Sequence, residues 1–387
     1  MTPARILHLR ASNFVGGPEN QLLRHASKER GQAWEVWIAV FVRGNEGKPF
    51  LSAAQDLGIP CVGLPVESVF SSVITLCRTL RENEIKLICT HGYKAEVIGL
   101  LAGMLTRTPV ACFLRGWTGE NMKVRFYEAV ERFSLRFASR VVCLSNLQAR
   151  KIAVRRSLAR KIRVVRNAID IHVPVSRQQS RRLLAERFSL PAQSTIVATA
   201  GRLSPEKGVS DFLEAASRIR GDKESLFFVI FGEGALDKIL REKAHSLKMD
   251  DKVVFAGFQR DLRDLLPGVD VLVNASQSEE MPNVVLEAMA AGVPVVATEV
   301  GGVAEIAGDD PAIKLVPPRE PQLLAAEISR LLRSSDLGKS LGEKGLDRVK
   351  RAFSVESQAR EYNSLYQELV AVQKCRNGAG LEERGTV

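Results

Sequence analysis

The segment from Ser276 to Thr298 reads SQSEEMPNVVLEAMAAGVPVVAT. A polar turn passes through Pro282 and Asn283 into an apolar, alanine-rich helix, Gly292 stops it, and the β-branched run Val293 to Thr298 re-enters the core. Proline suits a first helical turn, where the N–H it lacks would find no partner, so the helix is expected to start at Pro282. Gly292, with Pro294 beyond it, supplies the residues that end a helix. Loop, helix and strand therefore follow one another within a single short stretch.

Two carboxylates frame that helix start: Glu279 in the loop and Glu287 on the helix, eight positions later. The first turn of a helix presents unpaired N–H groups and the positive end of a dipole, a place for an anion. A carboxylate accepts hydrogen bonds only, and a sugar offers hydroxyl donors in adjacent pairs. The pattern thus suits a hexose and a ribose held by acids beside a phosphate held by amides. The plain alternative is a buried helix with ordinary surface acids.

Glu279 and Glu287 with seven residues between them, followed by Ala288-Met289-Ala290 and Gly292-Val293-Pro294-Val295, resemble the E-x7-E signature of glycosyltransferase family 4. Its members are retaining enzymes of the GT-B fold. The resemblance implies that Glu279 contacts the donor sugar and Glu287 the nucleotide ribose, with Met281, Pro282 and Asn283 in the same donor loop. One departure is Glu280, which stands where members commonly carry Gly.

At 387 residues the chain exceeds the size at which a single core keeps growing, so two domains are expected. Composition is that of an ordinary globular protein, 45% hydrophobic and 26% charged. Charged residues interrupt the N-terminus, which reads as a strand rather than a signal peptide, and no apolar run is long enough to cross a bilayer. The expected place is the cytoplasm, or peripherally the inner face of the cell membrane. Six cysteines are scattered without C-x-x-C spacing, which argues against disulfides and zinc.

Strand-like runs alternate with helical ones along the first half, which predicts an α/β chain with a parallel sheet covered on both faces. Ligands on such sheets sit at the carboxyl ends of the strands. After the first strand come Gly16, Gly17 and Pro18, where glycine lets amides approach an anion; in the family a similar loop lies against the donor diphosphate. A lone His is usually structural, but His91 ends another strand and precedes a glycine, so it is expected to face the cleft, and the family resemblance implies a catalytic place for it. Arg115 and Trp117 follow the next strand as acceptor-side candidates: Arg115 stands where members often have His and is a permanent cation, and Trp117 is either a sugar-stacking platform or a packing residue.

The net charge of +11 is concentrated between Lys123 and Arg166, where thirteen basic residues face only Glu128 and Glu131. Such a field attracts phosphate-rich partners. An anionic membrane surface is therefore a candidate partner, by way of the helix from Met122 to Phe137 with its aromatic stripe and arginines. The blander reading is a core stripe with solvated arginines.

The second half opens with the strand Thr195 to Ala200 and the loop Gly201-Arg202-Leu203-Ser204-Pro205-Glu206-Lys207-Gly208. Arg202 and Lys207 on one such loop can neutralise a diphosphate whose charge grows as its bond to the sugar breaks. The loop also resembles the family's, whose matching Arg and Lys bind donor phosphates. The same resemblance implies that Gly232 lies close to the nucleotide and Phe258 with Arg260 near its base.

These readings imply a GT-B architecture: two doubly wound, Rossmann-like domains facing across a cleft, residues 1–172 on the acceptor side and 173–353 binding the nucleotide sugar. A helix over 354–373 is expected to cross back to the first domain, and 374–387 to be disordered. The expected activity is retaining hexosyl transfer from a nucleotide-diphosphate sugar to a glycan or lipid-linked acceptor in bacterial surface-polysaccharide or lipopolysaccharide assembly. Without an Asp-x-Asp pair no metal and no other cofactor is expected, and Glu279, Arg202, Lys207 and His91 are the catalytic candidates. The alternatives are a GT-B nucleotide-sugar epimerase, which needs no acceptor, and a basic membrane- or nucleic-acid-binding protein, which would leave these four residues without a task. A nucleic-acid partner is not expected.

Overall fold

The computed structural model describes residues 3–29, 31–114, 122–153, 156–171, 175–219 and 225–382. The chain divides into two compact units, residues 1–167 with 355–387, and residues 168–354.

In the first unit seven parallel strands lie in the order β3-β2-β1-β4-β5-β6-β7: β1 (Ala4–Arg10), β2 (Trp34–Val42), β3 (Cys61–Pro65), β4 (Ile85–His91), β5 (Val110–Phe113), β6 (Arg140–Cys143) and β7 (Ile162–Val164). The connecting helices are α1 (Gly17–Glu29), α2 (Lys48–Asp56), α3 (Val69–Glu82), α4 (Tyr93–Thr106), α5 (Met122–Ser134), α6 (Asn146–Ala153) and α7 (Arg156–Ala159). The direction of progression reverses between β1 and β4, whose last residues, Arg10 and His91, are register partners. Central strands such as β1 and β4 are buried on both faces, which is why they read as nearly continuous apolar runs.

The second unit repeats the plan with six parallel strands in the order β10-β9-β8-β11-β12-β13. They are β8 (Thr195–Ala200), β9 (Leu226–Phe231), β10 (Val253–Gly257), β11 (Val271–Asn274), β12 (Val295–Thr298) and β13 (Lys314–Val316). Its helices are α8 (Arg177–Phe188), α9 (Val209–Arg218), α10 (Asp237–Ser246), α11 (Leu262–Leu265), α12 (Asn283–Ala290), α13 (Val303–Ala307), α14 (Pro321–Arg333) and α15 (Ser335–Ala352). The reversal here lies between β8 and β11, and the carboxyl ends of strands at such a reversal form the crevice in which ligands sit.

Several elements differ from expectation. Helix α12 begins at Asn283, with Pro282 as its cap. Strand β13 has only three residues and pairs only with β12, too short to show a period in the sequence. The division falls at Asn167 and not near 172, because Ile169 donates its N–H to the Phe353 carbonyl at 2.8 Å, tying the segment that enters the second unit to the one that leaves it. The polar, basic stretch after the division is α8, built into the second unit. Ser176 and Gln179 form a capping box, the buried Ser180 hydroxyl donates to the Leu265 carbonyl at 2.8 Å, and Arg181 grips Asp270 at 2.5 Å.

The last helix, α16 (Val355–Glu382), packs on the first unit and runs well beyond the expected end at 373. Once a helix is nucleated by a docked face, each further residue adds a hydrogen bond at little cost. Residues 383–387 lie outside the described part.

The docked face is unusually polar. The Tyr366 hydroxyl lies 2.7 Å from Nε2 of both His8 and His25, His8 Nδ1 lies 2.9 Å from His91 Nε2, and Tyr362 stacks on His25 at 3.7 Å. Glu368 receives the guanidinium groups of Arg140 and Arg163, and Arg166 pairs with Glu361 at 3.0 Å. Much of the concentrated positive charge is therefore structural: Lys161 too is consumed, donating to the Arg136 and Ala138 carbonyls.

Burial holds the His25 imidazole neutral and lowers its pKa from 6.5 to about 3. The unfolded chain then takes up a proton that the folded one refuses, so this contribution is complete above pH 6.5 and is lost as pH falls from 6.5 towards 3. Between pH 7 and pH 5 that one group removes about 2 kcal/mol of stability. Urea unfolding at the two pH values should show the loss, and His25→Gln should reduce the pH dependence by that amount even though it lowers stability at pH 7.

Candidate functional site

The loops that follow β8, β9, β11 and β12 carry the second-unit candidates, and backbone contacts hold them together. The β8 loop turns at Gly208, whose φ is +62° and where a Cβ would stand 1.9 Å from the Ala275 carbonyl oxygen. The Gln277 N–H donates to the Glu206 carbonyl at 2.8 Å, so the β8 and β11 loops run against each other. The β12 loop meets the β11 loop still more closely. Gly301 has φ of +52°, a Cβ there would lie 1.4 Å from the Glu279 carbonyl oxygen, and Gly302 N–H donates to the Glu280 carbonyl at 3.0 Å.

This framework brings Lys207 and Glu279 together. Lys207 Nζ is 2.5 Å from Glu279 Oε1, and the same oxygen accepts the Ser276 hydroxyl at 2.9 Å. Ser276 is buried, and its carbonyl accepts the Thr298 hydroxyl from β12. The carboxylate is thus aimed by groups from three strand ends. Arg202, on the same loop as Lys207, extends into solvent with 68% of its side chain exposed, 3.6 Å from Glu206. Burial pulls the Glu206 carboxyl up, but the Ser204 hydroxyl, its own amide, Arg202 and Lys207 outweigh that and hold it below the usual range. Two cations and the inward-turned Glu279 therefore stand at one sheet edge.

Met281 and Pro282 are buried at the start of α12, Asn283 opens the helix, and Glu287 lies half-buried one turn on. Gly232 donates its N–H to Gly257 at 2.8 Å, joining the β9 and β10 ends. Beside them the Phe258 ring is exposed while its N–H reaches Glu233 Oε1 at 3.3 Å, and Arg260 is exposed on the same loop. An accessible aromatic face next to a bend suits stacking on a base.

In the first unit the outcome is mixed. Gly16 and Gly17 do open α1, but the anion position at its first turn is filled from within: Glu19 Oε2 accepts the Gly16 N–H at 3.0 Å, and Glu19 Oε1 takes Arg10 Nε at 2.5 Å. Burial raises the Glu19 carboxyl, and Arg10 and the Ser12 hydroxyl more than reverse it. Sequence reasoning missed both residues; the available signal was an acid in the first helical turn, three residues after Gly16. His91, expected to face a cleft, is buried. It is 2% exposed and belongs to the imidazole network beneath α16, because the β4 position it occupies is covered by that helix. Arg115 and Trp117 lie outside the described residues.

Two family models match the chain: "Glycosyl transferases group 1" over residues 180–348 and "Glycosyl transferase 4-like domain" over residues 16–168. Among curated proteins it is 26% identical to the Escherichia coli UDP-Gal:alpha-D-GlcNAc-diphosphoundecaprenol alpha-1,3-galactosyltransferase, over 62% of this chain and 65% of that one. It is 30% identical to the Rhizobium meliloti lipopolysaccharide core biosynthesis glycosyltransferase LpsE, over 46% and 52%. The chain thus spans about half to two thirds of the length of these relatives. In fold it resembles Anabaena HepE solved with UDP and glucose, at a TM-score of 0.83 and 23% identity, over 94% of this chain and 100% of that one.

Gly208→Ala and Gly301→Ala should each place a methyl group into a backbone carbonyl and lower the urea midpoint sharply. Gly292→Ala is the control: its φ is +69° but nothing lies within 4 Å of a Cβ, so it should cost only about 1 kcal/mol in the same urea titration.

Proposed function

We propose, for a chain that belongs to the group 1, family-4-like glycosyltransferases, that it transfers a hexose from a nucleotide-diphosphate sugar to a glycan acceptor that is lipid-linked or otherwise anionic. The observation that carries this reading is the Lys207–Glu279 pair, held where the strand order of the second unit reverses, with Arg202 on the same loop. Lys207 and Arg202 meet the charge that develops on the leaving diphosphate, the task that would otherwise fall to a metal ion. Glu279, with one oxygen engaged by Lys207 and Ser276, offers the other to sugar hydroxyls. Glu287 is assigned to the ribose, Phe258 to the base, and the amides of Asn283 and its successors at the α12 N-terminus to a phosphate.

The configuration at the anomeric carbon is retained in this proposal. The acceptor hydroxyl attacks from the face the diphosphate is leaving, and its proton passes to the departing phosphate oxygen. The C–O bond to phosphate breaks as the new glycosidic bond forms. The E. coli relative is named for a UDP-galactose donor and a diphosphoundecaprenol-linked acceptor and the R. meliloti relative for lipopolysaccharide core synthesis, which supports a role in surface-polysaccharide or lipopolysaccharide assembly on the inner face of the membrane. His91 is assigned no proton transfer, since its ring nitrogen is engaged with His8.

A nucleotide or nucleotide sugar at 100 times its dissociation constant should stabilise the protein by about 2.7 kcal/mol, read as a rise in melting temperature; the absence of any shift across the common donors would sink the proposal. Glu279→Ala and Lys207→Met should each lower kcat at least a hundredfold, equivalent to about 2.7 kcal/mol of transition-state stabilisation. Each should reduce turnover far more than it lowers the unfolding midpoint; a comparable loss of both would favour the buried-helix alternative. Donor turnover without any acceptor would instead favour the epimerase reading.

A further inference from the structure

Strands β3, β4, β5 and β6 succeed one another in the same direction across the first sheet, so right-handed crossovers place α3, α4 and α5 in one layer on one side of it. The middle helix of that layer has three sides in use. Gly99 and Gly103 press on the sheet, where a Cβ would come within 2.4 Å of Thr90 and Val110 respectively. The Cys77 thiol of α3 reaches the Ala102 carbonyl at 4.0 Å, and Glu96 accepts the Ser134 hydroxyl of α5. The fourth side faces solvent, and a surface helix ordinarily carries charge there. Here it presents Tyr93, Leu101, Met104 and Leu105, the last 65% exposed, while Lys94 bends away over the Phe41 ring at 4.5 Å.

The neighbouring helices continue this apolar strip and edge it with cations. Phe70 and Ile74 of α3 are exposed, with Arg78 and Arg81 further along the same helix. On the other flank Phe133 and Phe137 are exposed, and the Arg136 guanidinium lies 3.1 Å from the Phe133 ring centroid, beside Arg132. Glu96 of α4 and Glu131 of α5 are turned away from solvent. Glu96 and Glu131 are buried together, and burial with the neighbouring Glu131 raises Glu96 to about 9, so it stays protonated. Glu67, which precedes α3, and Glu82 at its end are acids at the margin. None of the described helices is long and apolar enough to cross a bilayer.

We propose that this outer face of α3, α4 and α5 seats the first unit on a bilayer bearing anionic headgroups, the apolar strip at the acyl boundary and the arginines at the level of the phosphates. The proposal extends the reading of a lipid-linked acceptor, since it brings the acceptor-side unit to the surface where such a substrate is held. Charge selects the occupant. A lipid phosphate layer complements arginines on both flanks, whereas a second copy of this face would set arginine against arginine. An amphipathic surface of this kind lies in the interface and does not span it.

The test is co-sedimentation of the full chain with vesicles of phosphatidylcholine alone and of phosphatidylcholine mixed with phosphatidylglycerol. The expected result is at least tenfold tighter binding to the anionic vesicles, falling as salt is raised. Leu101→Asp with Leu105→Asp, both at exposed positions, should weaken vesicle binding at least tenfold, and Arg132→Ser with Arg136→Ser should reduce the preference for anionic lipid severalfold. Both double variants should keep the wild-type unfolding midpoint and nucleotide affinity. Equal binding to both vesicle types, undiminished binding by the Leu101→Asp/Leu105→Asp protein, or a dimer in sedimentation velocity that this variant dissociates would overturn the proposal. Because nucleotide affinity is measured separately, failure on vesicles with nucleotide binding intact defeats the docking face alone, and loss of nucleotide binding in the wild type defeats the functional reading instead.

Discussion

The ion pair between Lys207 and Glu279 is the contact on which the second unit's site depends. It joins the loop after β8 to the loop after β11, the two strands between which the sheet order reverses. An exposed pair of this kind is worth little by itself. This one is partly buried and its carboxylate is braced by Ser276, whose own carbonyl is held by Thr298. Glu279 is therefore held in one position by groups from three strand ends. Gly208 and Gly301 make it attainable: each lies against a neighbouring loop's carbonyl at a distance no side chain tolerates.

The first unit solves a different problem. Its sheet must receive α16 from the far end of the chain, and it does so through buried imidazoles and a phenol as well as through apolar packing. Unpaired polar groups in such a place would be costly, and each ring here has a partner. The arrangement fixes the helix azimuthally as well as in depth, because the Tyr366 hydroxyl satisfies His8 and His25 at the same time. His91, at the end of β4, is drawn into the same network through His8.

Basic residues illustrate how far composition can mislead. The concentration of positive charge between Lys123 and Arg166 reads as a field for phosphate-rich partners. Arg140, Arg163 and Arg166 are engaged with glutamates of α16, and Lys161 caps carbonyls. Arg132 and Arg136 remain at the surface beside exposed aromatic rings. What distinguishes the two groups is the presence of Glu361 and Glu368, 195 to 228 residues away, which no local window of sequence contains.

The alternation of strands and helices, the two-unit plan, the stop at Gly292 and the grouping of Arg202 and Lys207 on one strand-end loop were all legible in the sequence. Each is written in local patterns: hydrophobic period, glycine and proline placement, and charges a few residues apart. The three-residue β13, the incorporation of α8, the burial of His91 and the Glu19 brace were not legible, since each depends on a neighbour brought near only by folding. By itself the sequence determined which segments form the sheet edge and which acids and bases lie along it. Tertiary structure decided which of those groups meet, because a hydrogen bond or an ion pair is governed by distances of a few ångströms between segments whose separation along the chain carries no such information.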